Sequence, residues 1–204
     1  MYTFRNTIPA DAIKLEALQR AVFPTLSEEE RLSAQHYLRH IELFPGGQFV
    51  VTDGDRLIAM SSTMRTNHPL EADHTFLEIS DNLWLTTHDP QGVWLYGMDM
   101  GVDPAYRGQG VARALYRARQ ELCRNLGLKG QVTVGMLNGY LPYKDQLTID
   151  AYGTRVLSGA LTDPTITPQQ KVGFVLVRIV KNYLNDPQCG NAGILMVLDA
   201  AKDV

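Results

Sequence analysis

Three observations predict an α/β fold. Strand-like and helical patterns alternate along most of the chain, in the order β, α, α, β, β, β, α, β, α, β, β. Strands joined by helical crossovers point to the α/β class. Two strand-like runs, 48–52 and 56–65, flank Asp53-Gly54-Asp55, and Asp-Gly between such runs is a strong hairpin signal. An apolar run, 93–102, leads through a Gly-rich turn into a helical pattern, 111–126.

The elements follow in order. Residues 2–7 alternate as a first strand. Pro9 opens a helical pattern in which Ile13, Leu15, Ala17, Leu18, Val22 and Phe23 keep one apolar face, and Pro24 stops it. Ser27-Glu-Glu-Glu30 reads as a capping box, so a second helix is expected from there to about Leu43, ended by Pro45-Gly46-Gly47. The hairpin strands come next. Residues 67–92 hold a short helical pattern near 77–83 and the loop His88-Asp-Pro-Gln-Gly92. Insertions of that length in a compact domain are usually functional or disordered; folding over a substrate site is one reading of this one, and His88 is either a contact to the substrate or a surface histidine. In the helix over 111–126, Val111, Leu115, Ala118, Leu122 and Leu126 face a sheet, and Gly127 is the stop. Strands are expected at 131–136, 174–180 and 193–198, with helices at 148–158 and 167–172.

A chain of 204 residues is expected to form one domain, 1–204, with the insertion at about 67–92. Hydrophobic residues make up 45% of it, as in globular proteins. The net charge of −3 gives no whole-protein field toward nucleic acid or an anionic membrane. Cys123 and Cys189 form no metal or redox motif; Cys123 falls on an apolar helix face and Cys189 in a late loop open to exposure. No charged start precedes an apolar block, as a signal peptide would require. No apolar run reaches the roughly 18 residues of a membrane helix. A cytoplasmic protein is the default expectation.

The segment Val102-Asp-Pro-Ala-Tyr-Arg-Gly-Gln-Gly-Val-Ala112 carries the most chemistry. Strand, Gly-rich turn and helix N-terminus make an anion cradle. The glycines let backbone N–H groups approach a ligand closely. The first-turn amides lack partners inside the helix, and the dipole favours negative charge there. A P-loop would need Gly-Lys-Ser/Thr, but Gly110 precedes Val111 and Ala112. The dinucleotide fingerprint would need a third glycine where Arg113 stands.

The pattern Arg107-x-x-Gly110-x-Ala112, preceded by Val102-Asp-Pro104, resembles the acetyl-CoA signature of the GNAT N-acetyltransferases. The resemblance extends to residues 44–53, Leu95-Tyr-Gly-Met-Asp99, Arg119-Gln-Glu-Leu-Cys123, Gly139-Tyr140 and Gly159-Ala-Leu-Thr-Asp-Pro164. These resemble a subgroup in which the acetyltransferase-like domain is often fused to a carbon–nitrogen hydrolase. The similarity covers most of residues 40–200; the first forty match in element order only.

The resemblance implies a mixed, mostly antiparallel sheet of about seven strands with helices on both faces, its fourth and fifth strands splayed. It implies acetyl-CoA as co-substrate, with pantetheine along Met100, Gly101 and Val102 and pyrophosphate on Arg107, Gly108, Gln109, Gly110, Val111 and Ala112. Asn138 is a candidate bridge to the pantetheine, and one of Arg113, Arg117, Arg119 or Arg124 a candidate for the 3′-phosphate. No metal is implied. Asp99, among apolar neighbours, is the candidate base. The usual acid is a tyrosine four residues before the Gly-Phe of the sixth strand. Here Gly173-Phe174 is present, but Gln169 holds that place, so Tyr143 and then Tyr140 are the candidate acids. The acceptor is a primary amine of a small molecule or peptide. The alternative is a CoA-binding sensor domain without catalysis. Monomer and homodimer stay open.

Overall fold

Seven strands form one mixed sheet in the computed structural model, which describes residues 2–204. In chain order the elements are β1 (Tyr2–Asn6), α1 (Ala12–Val22), α2 (Ala34–Leu43), β2 (Phe49–Asp53), β3 (Arg56–Thr66), α3 (Phe76–Ser80), β4 (Trp94–Val102), α4 (Val111–Asn125), β5 (Gly130–Met136), α5 (Ile149–Leu157), α6 (Ile166–Val172), β6 (Val175–Val180) and β7 (Gly193–Asp199). The strand order is β1-β2-β3-β4-β5-β7-β6. Each neighbouring pair is antiparallel except β4–β5, which is parallel. Parallel neighbours need a crossover, and α4 supplies it.

Helices cover both faces. On one face Leu15 and Leu18 of α1 and Tyr37 of α2 pack with Val50, Met60 and Met64. On the other, Val111 and Leu115 of α4 pack with Val51, Ile58 and Ala59. A strand covered on both faces reads as a continuous apolar run, and β3 is buried along most of its length. Gly127 ends α4 at a φ of +63°, a left-handed conformation that glycine takes at little cost. Among the described residues, no helix is long and apolar enough to cross a membrane.

Three expectations change. Ser27 does not start a helix: residues 28–30 make one 3₁₀ turn, and Ser33 caps α2 instead. The Glu30 side chain is drawn off to the backbone N–H of Asn185 at 2.6 Å, with Ser27 Oγ donating to it at 3.0 Å. Cys189 is buried, and its thiol is pushed up to about 12 by desolvation. Residues 67–92 are tied into the domain, and within them it is the reading of His88 that changes. Asn67 bonds Asp89 and the Val93 amide. Arg178 of β6 donates to the carbonyls of Leu70 and Ala72. His88 accepts from the Arg65 amide and stacks on Phe44, so it serves the packing of this segment.

Candidate active site

The site begins with a break in strand pairing. On β3, Ser62 and Thr63 are consecutive, yet they pair with Asp99 and Gly97 of β4, so Met98 is an extra, bulged residue. A bulge bends its strand and re-aims the side chains beside it. From that point β4 leaves β5. Their pairing runs only over Trp94–Gly97 with Gly130–Thr133. Thr133 Oγ1 donates to the Gly97 carbonyl at 2.9 Å and closes the apex. Beyond it each strand keeps its outer partner, β3 or β7, and loses the inner one. The gap opens into a cleft of about 730 Å³.

The cradle forms one wall of this cleft. Asp103 accepts from the Ala105 amide and starts a 3₁₀ turn, Pro104–Tyr106. Gly108 and Gly110 then take φ of +74° and +78°, and a Cβ at either would meet open space. Glycine is therefore called for by the backbone conformation, not by packing. The amides from Gly108 through Arg113 find no hydrogen-bond acceptor among the described residues. Orphan amides of this kind are the normal state of a helix start and an anion site when they converge on a cavity.

The cleft is lined by Asp99, Met100, Val102, Arg107, Gly108, Gly110, Val111, Ala112 and Asn138, as the sequence places them. Gly101 faces away, against Met60 and Val22. The Gln109 side chain also turns out, bonding Tyr2 Oη and the Ala105 carbonyl. Of the helix arginines, Arg113 lines the cleft. Arg117 and Arg124 bond carbonyls near the C-terminus instead. Arg119 is buried against Gly97.

Asp99 stands where the bulge turns β4. It is 7% exposed, and burial lifts its pKa to about 6. Tyr37 Oη donates to its Oδ2 at 2.8 Å, and this bond and the Met100 amide hold the shift in check. The wall opposite the cradle comes from Gln19, Phe23 and Leu26, from Phe76 of α3, and from Tyr183, Leu184 and Asp186 after β6. Tyr183 Oη lies 3.1 Å from Tyr96 Oη, which lies 2.7 Å from His74 Nε2. These residues escaped the sequence reading because their partners lie far away in the chain.

Tyr140 and Tyr143 are not brought to the cleft. Both rings pack on Tyr152, and Tyr140 Oη donates to the Leu147 carbonyl. Gln169 does line the cleft, and its Nε2 donates to Tyr116 Oη at 2.8 Å. No periodic signal marked Tyr116, a tyrosine beside the apolar stripe of α4.

Against known proteins, residues 14–140 match the model of the Acetyltransferase (GNAT) family. A probable hydrolase of Bacillus subtilis (strain 168), YhcX, is 34% identical over 183 residues, which is 89% of this chain and 35% of that protein. The chain thus spans about a third of that relative's length, in keeping with a resemblance to hydrolase-fused domains. An uncharacterized N-acetyltransferase of the same organism, YkwB, is 31% identical over 196 residues, 95% of this chain and 87% of that protein. The structure of GphF, a GNAT-like decarboxylase in complex with isobutyryl-CoA, aligns with a TM-score of 0.78 over 97% of this chain and 99% of that one, at 21% identity.

Proposed function

The chain belongs to the GNAT acetyltransferase family, and on that premise we propose that it transfers the acetyl group of acetyl-CoA to a primary amine of a small molecule or peptide. The carrying observation is the run of unpaired amides from Gly108 through Arg113 at the mouth of a cleft whose floor is a strand edge released by its neighbour. These residues fit CoA. The amides suit a pyrophosphate, with Arg107 and Arg113 beside them. The free edge of Met98–Val102 suits an amide-bearing arm added as a strand, and Asn138 lines the far end. The complex of GphF with isobutyryl-CoA supports the same ligand class.

Bound there, acetyl-CoA supplies an activated acyl thioester. Asp99 is the base: with its pKa near 6, it is mostly ionised at neutral pH and still basic enough to take a proton from an attacking amine. Tyr37 fixes the carboxylate. Phe23, Leu26, Phe76 and Leu184 keep water away from the acceptor side.

Gly110→Trp tests the cradle. The added ring fills the space in front of the amides, so CoA binding by calorimetry should vanish. The left-handed φ costs a non-glycine residue about 1–2 kcal/mol, so the fold should persist with a Tm lower by a few degrees. Unchanged CoA affinity would refute the cradle. Activity is read as thiol release from acetyl-CoA across an amine panel. Because a GNAT-like decarboxylase shares the fold, a carboxyacyl-CoA is run beside it with CO₂ as the readout. Thiol release without amine dependence, or CO₂ release in its place, would refute amine transfer.

A further inference from the structure

We propose that Tyr116 is the proton donor to the departing thiolate, oriented by Gln169 and tuned by Arg119. This rests on the acetyl-CoA reading above. Three observations carry it.

Tyr116 lines the cleft from the second turn of α4, beside Gly97, Thr133 and Gly135 where β4 and β5 part. Its hydroxyl accepts a hydrogen bond from Gln169 Nε2 and donates to no described residue. With Gln169 Nε2 donating to the oxygen, the phenolic proton is left for the cleft; a turn of the Gln169 amide would instead offer that proton the unpartnered Oε1. The other hydroxyls there differ. Thr133 and Thr25 are spent on the Gly97 carbonyl and on Asp186. Tyr106 donates to Asp53, and Tyr183 shares a hydrogen bond with Tyr96 in which either oxygen can donate, on the wall away from the apex where β4 and β5 part. A threonine hydroxyl is in any case too weak an acid to serve.

Arg119 supplies the second observation. The residue is 1% exposed; among the described residues its guanidinium has no carboxylate partner, and its Nε and Nη2 have no hydrogen-bond acceptor. A buried cation without a counter-charge is costly and calls for a reason. The charge lies 5.5 Å from the centre of the Tyr116 ring. It opposes the upward push that burial exerts on the Tyr116 phenol. From the other elements Tyr116 meets neutral groups, Gln169 of α6 and Phe174 ahead of β6. Arg119 is thus the charge that acts on it.

The third observation is spatial. A Cβ on Gly97 would lie 1.7 Å from Arg119 Nη2. The strand gives up a side chain at the apex to admit the cation. In the transfer step the Tyr116 O–H bond breaks as the S–H bond forms. The electron pair stays on the phenolate oxygen, with Arg119 as its counter-charge, until water in the cleft returns a proton. Gln169 keeps its hydrogen bond to the oxygen throughout.

Two measurements test this without an acceptor. Calorimetry compares CoA with desulfo-CoA at about pH 9, where a thiol is largely ionised. The native protein should prefer CoA by about 10- to 100-fold, the worth of a hydrogen bond to a charged group. Tyr116→Phe should bind both equally and keep the native affinity for desulfo-CoA. Ultraviolet titration of tyrosinate in the free protein, native minus Tyr116→Phe, isolates the Tyr116 phenol. Arg119→Met should move it to higher pH, and Arg119→Lys, which keeps the charge, should restore most of the shift. If the native protein binds CoA but Tyr116→Phe keeps the thiolate preference, or the phenol ignores Arg119, the proposal falls and the cofactor reading stands. If the native protein binds neither ligand, the cofactor reading falls and takes this one with it.

Discussion

Asp99 shows how one residue carries opposing demands. Folding lifts its pKa from 3.8 to about 6 because burial opposes the charge. The acid limb of kcat/KM should therefore lie near pH 6, since that profile reports groups of the free enzyme. Tyr37→Phe removes a bond that favours the ionised form, so the limb should move upward; a limb that stays in place would show that another group titrates. Asp99→Asn should lower kcat by about 10²–10⁴. The same substitution should stabilise the protein at pH 7. An acid with a raised folded pKa contributes stability that is complete below pH 3.8 and lost as pH rises through about 6. Above that window the charge costs about 3 kcal/mol. A higher denaturation midpoint with lower activity would confirm both halves. Asp99 was legible in the sequence as a carboxylate inside an apolar strand. Tyr37 was not, because it is a tertiary neighbour 62 positions away.

At the scale of elements, periodicity and turn chemistry marked the strands and long helices, because each buries one side or both against the sheet. What they missed are features decided by other elements. The expected cap at Ser27 lost its glutamate to Asn185. The chain after β5 turns through Leu141–Tyr143 and sets its tyrosines on Tyr152, away from the cleft. Leu83 and Leu85 hold left-handed φ of +73° and +60° because their side chains are buried, a conformation no local signal requires. The apex of the splay is equally non-local. Gly97 lacks a side chain there for a reason that lies in α4, because Arg119 fills the space. Gly97→Ala must displace a guanidinium that has no exit. The expected cost is about 1–3 kcal/mol, as for other overpacked sites, and each kcal/mol lowers Tm by about 2–4 °C in a domain of this size. Adding Arg119→Ala should recover part of the loss, and a double-mutant cycle reads the coupling. Strict additivity would mean that the two groups do not compete for one space.

For the whole molecule, the buried histidines set the response to acid. His40 lies between Ser62 Oγ at 2.8 Å and the Leu83 carbonyl at 2.7 Å, tying α2 to β3 and to the segment after α3. His74 meets Tyr96 Oη at 2.7 Å and joins the 67–92 segment to the sheet. Desolvation is the first cause that lowers both from 6.5 to about 4. Below pH 6.5 the unfolded chain takes up protons that the folded chain refuses, so stability falls as pH drops toward 4. By linkage each histidine costs about 2 kcal/mol at pH 5, and Asp99, shifted the other way, returns about 1 kcal/mol. The net loss between pH 7 and pH 5 is about 2 kcal/mol, and His36 and His88, also lowered by burial, add to it. The urea midpoint should fall accordingly while the m-value stays constant. His74→Gln, which keeps a neutral donor, should remove close to half of the histidine contribution. A midpoint unchanged between pH 7 and pH 5 would show that these histidines are protonated in the folded state. Activity is lost over the same range for a separate reason, the protonation of Asp99. The two separate cleanly: in His74→Gln the stability curve should flatten while the acid limb of kcat/KM stays near pH 6.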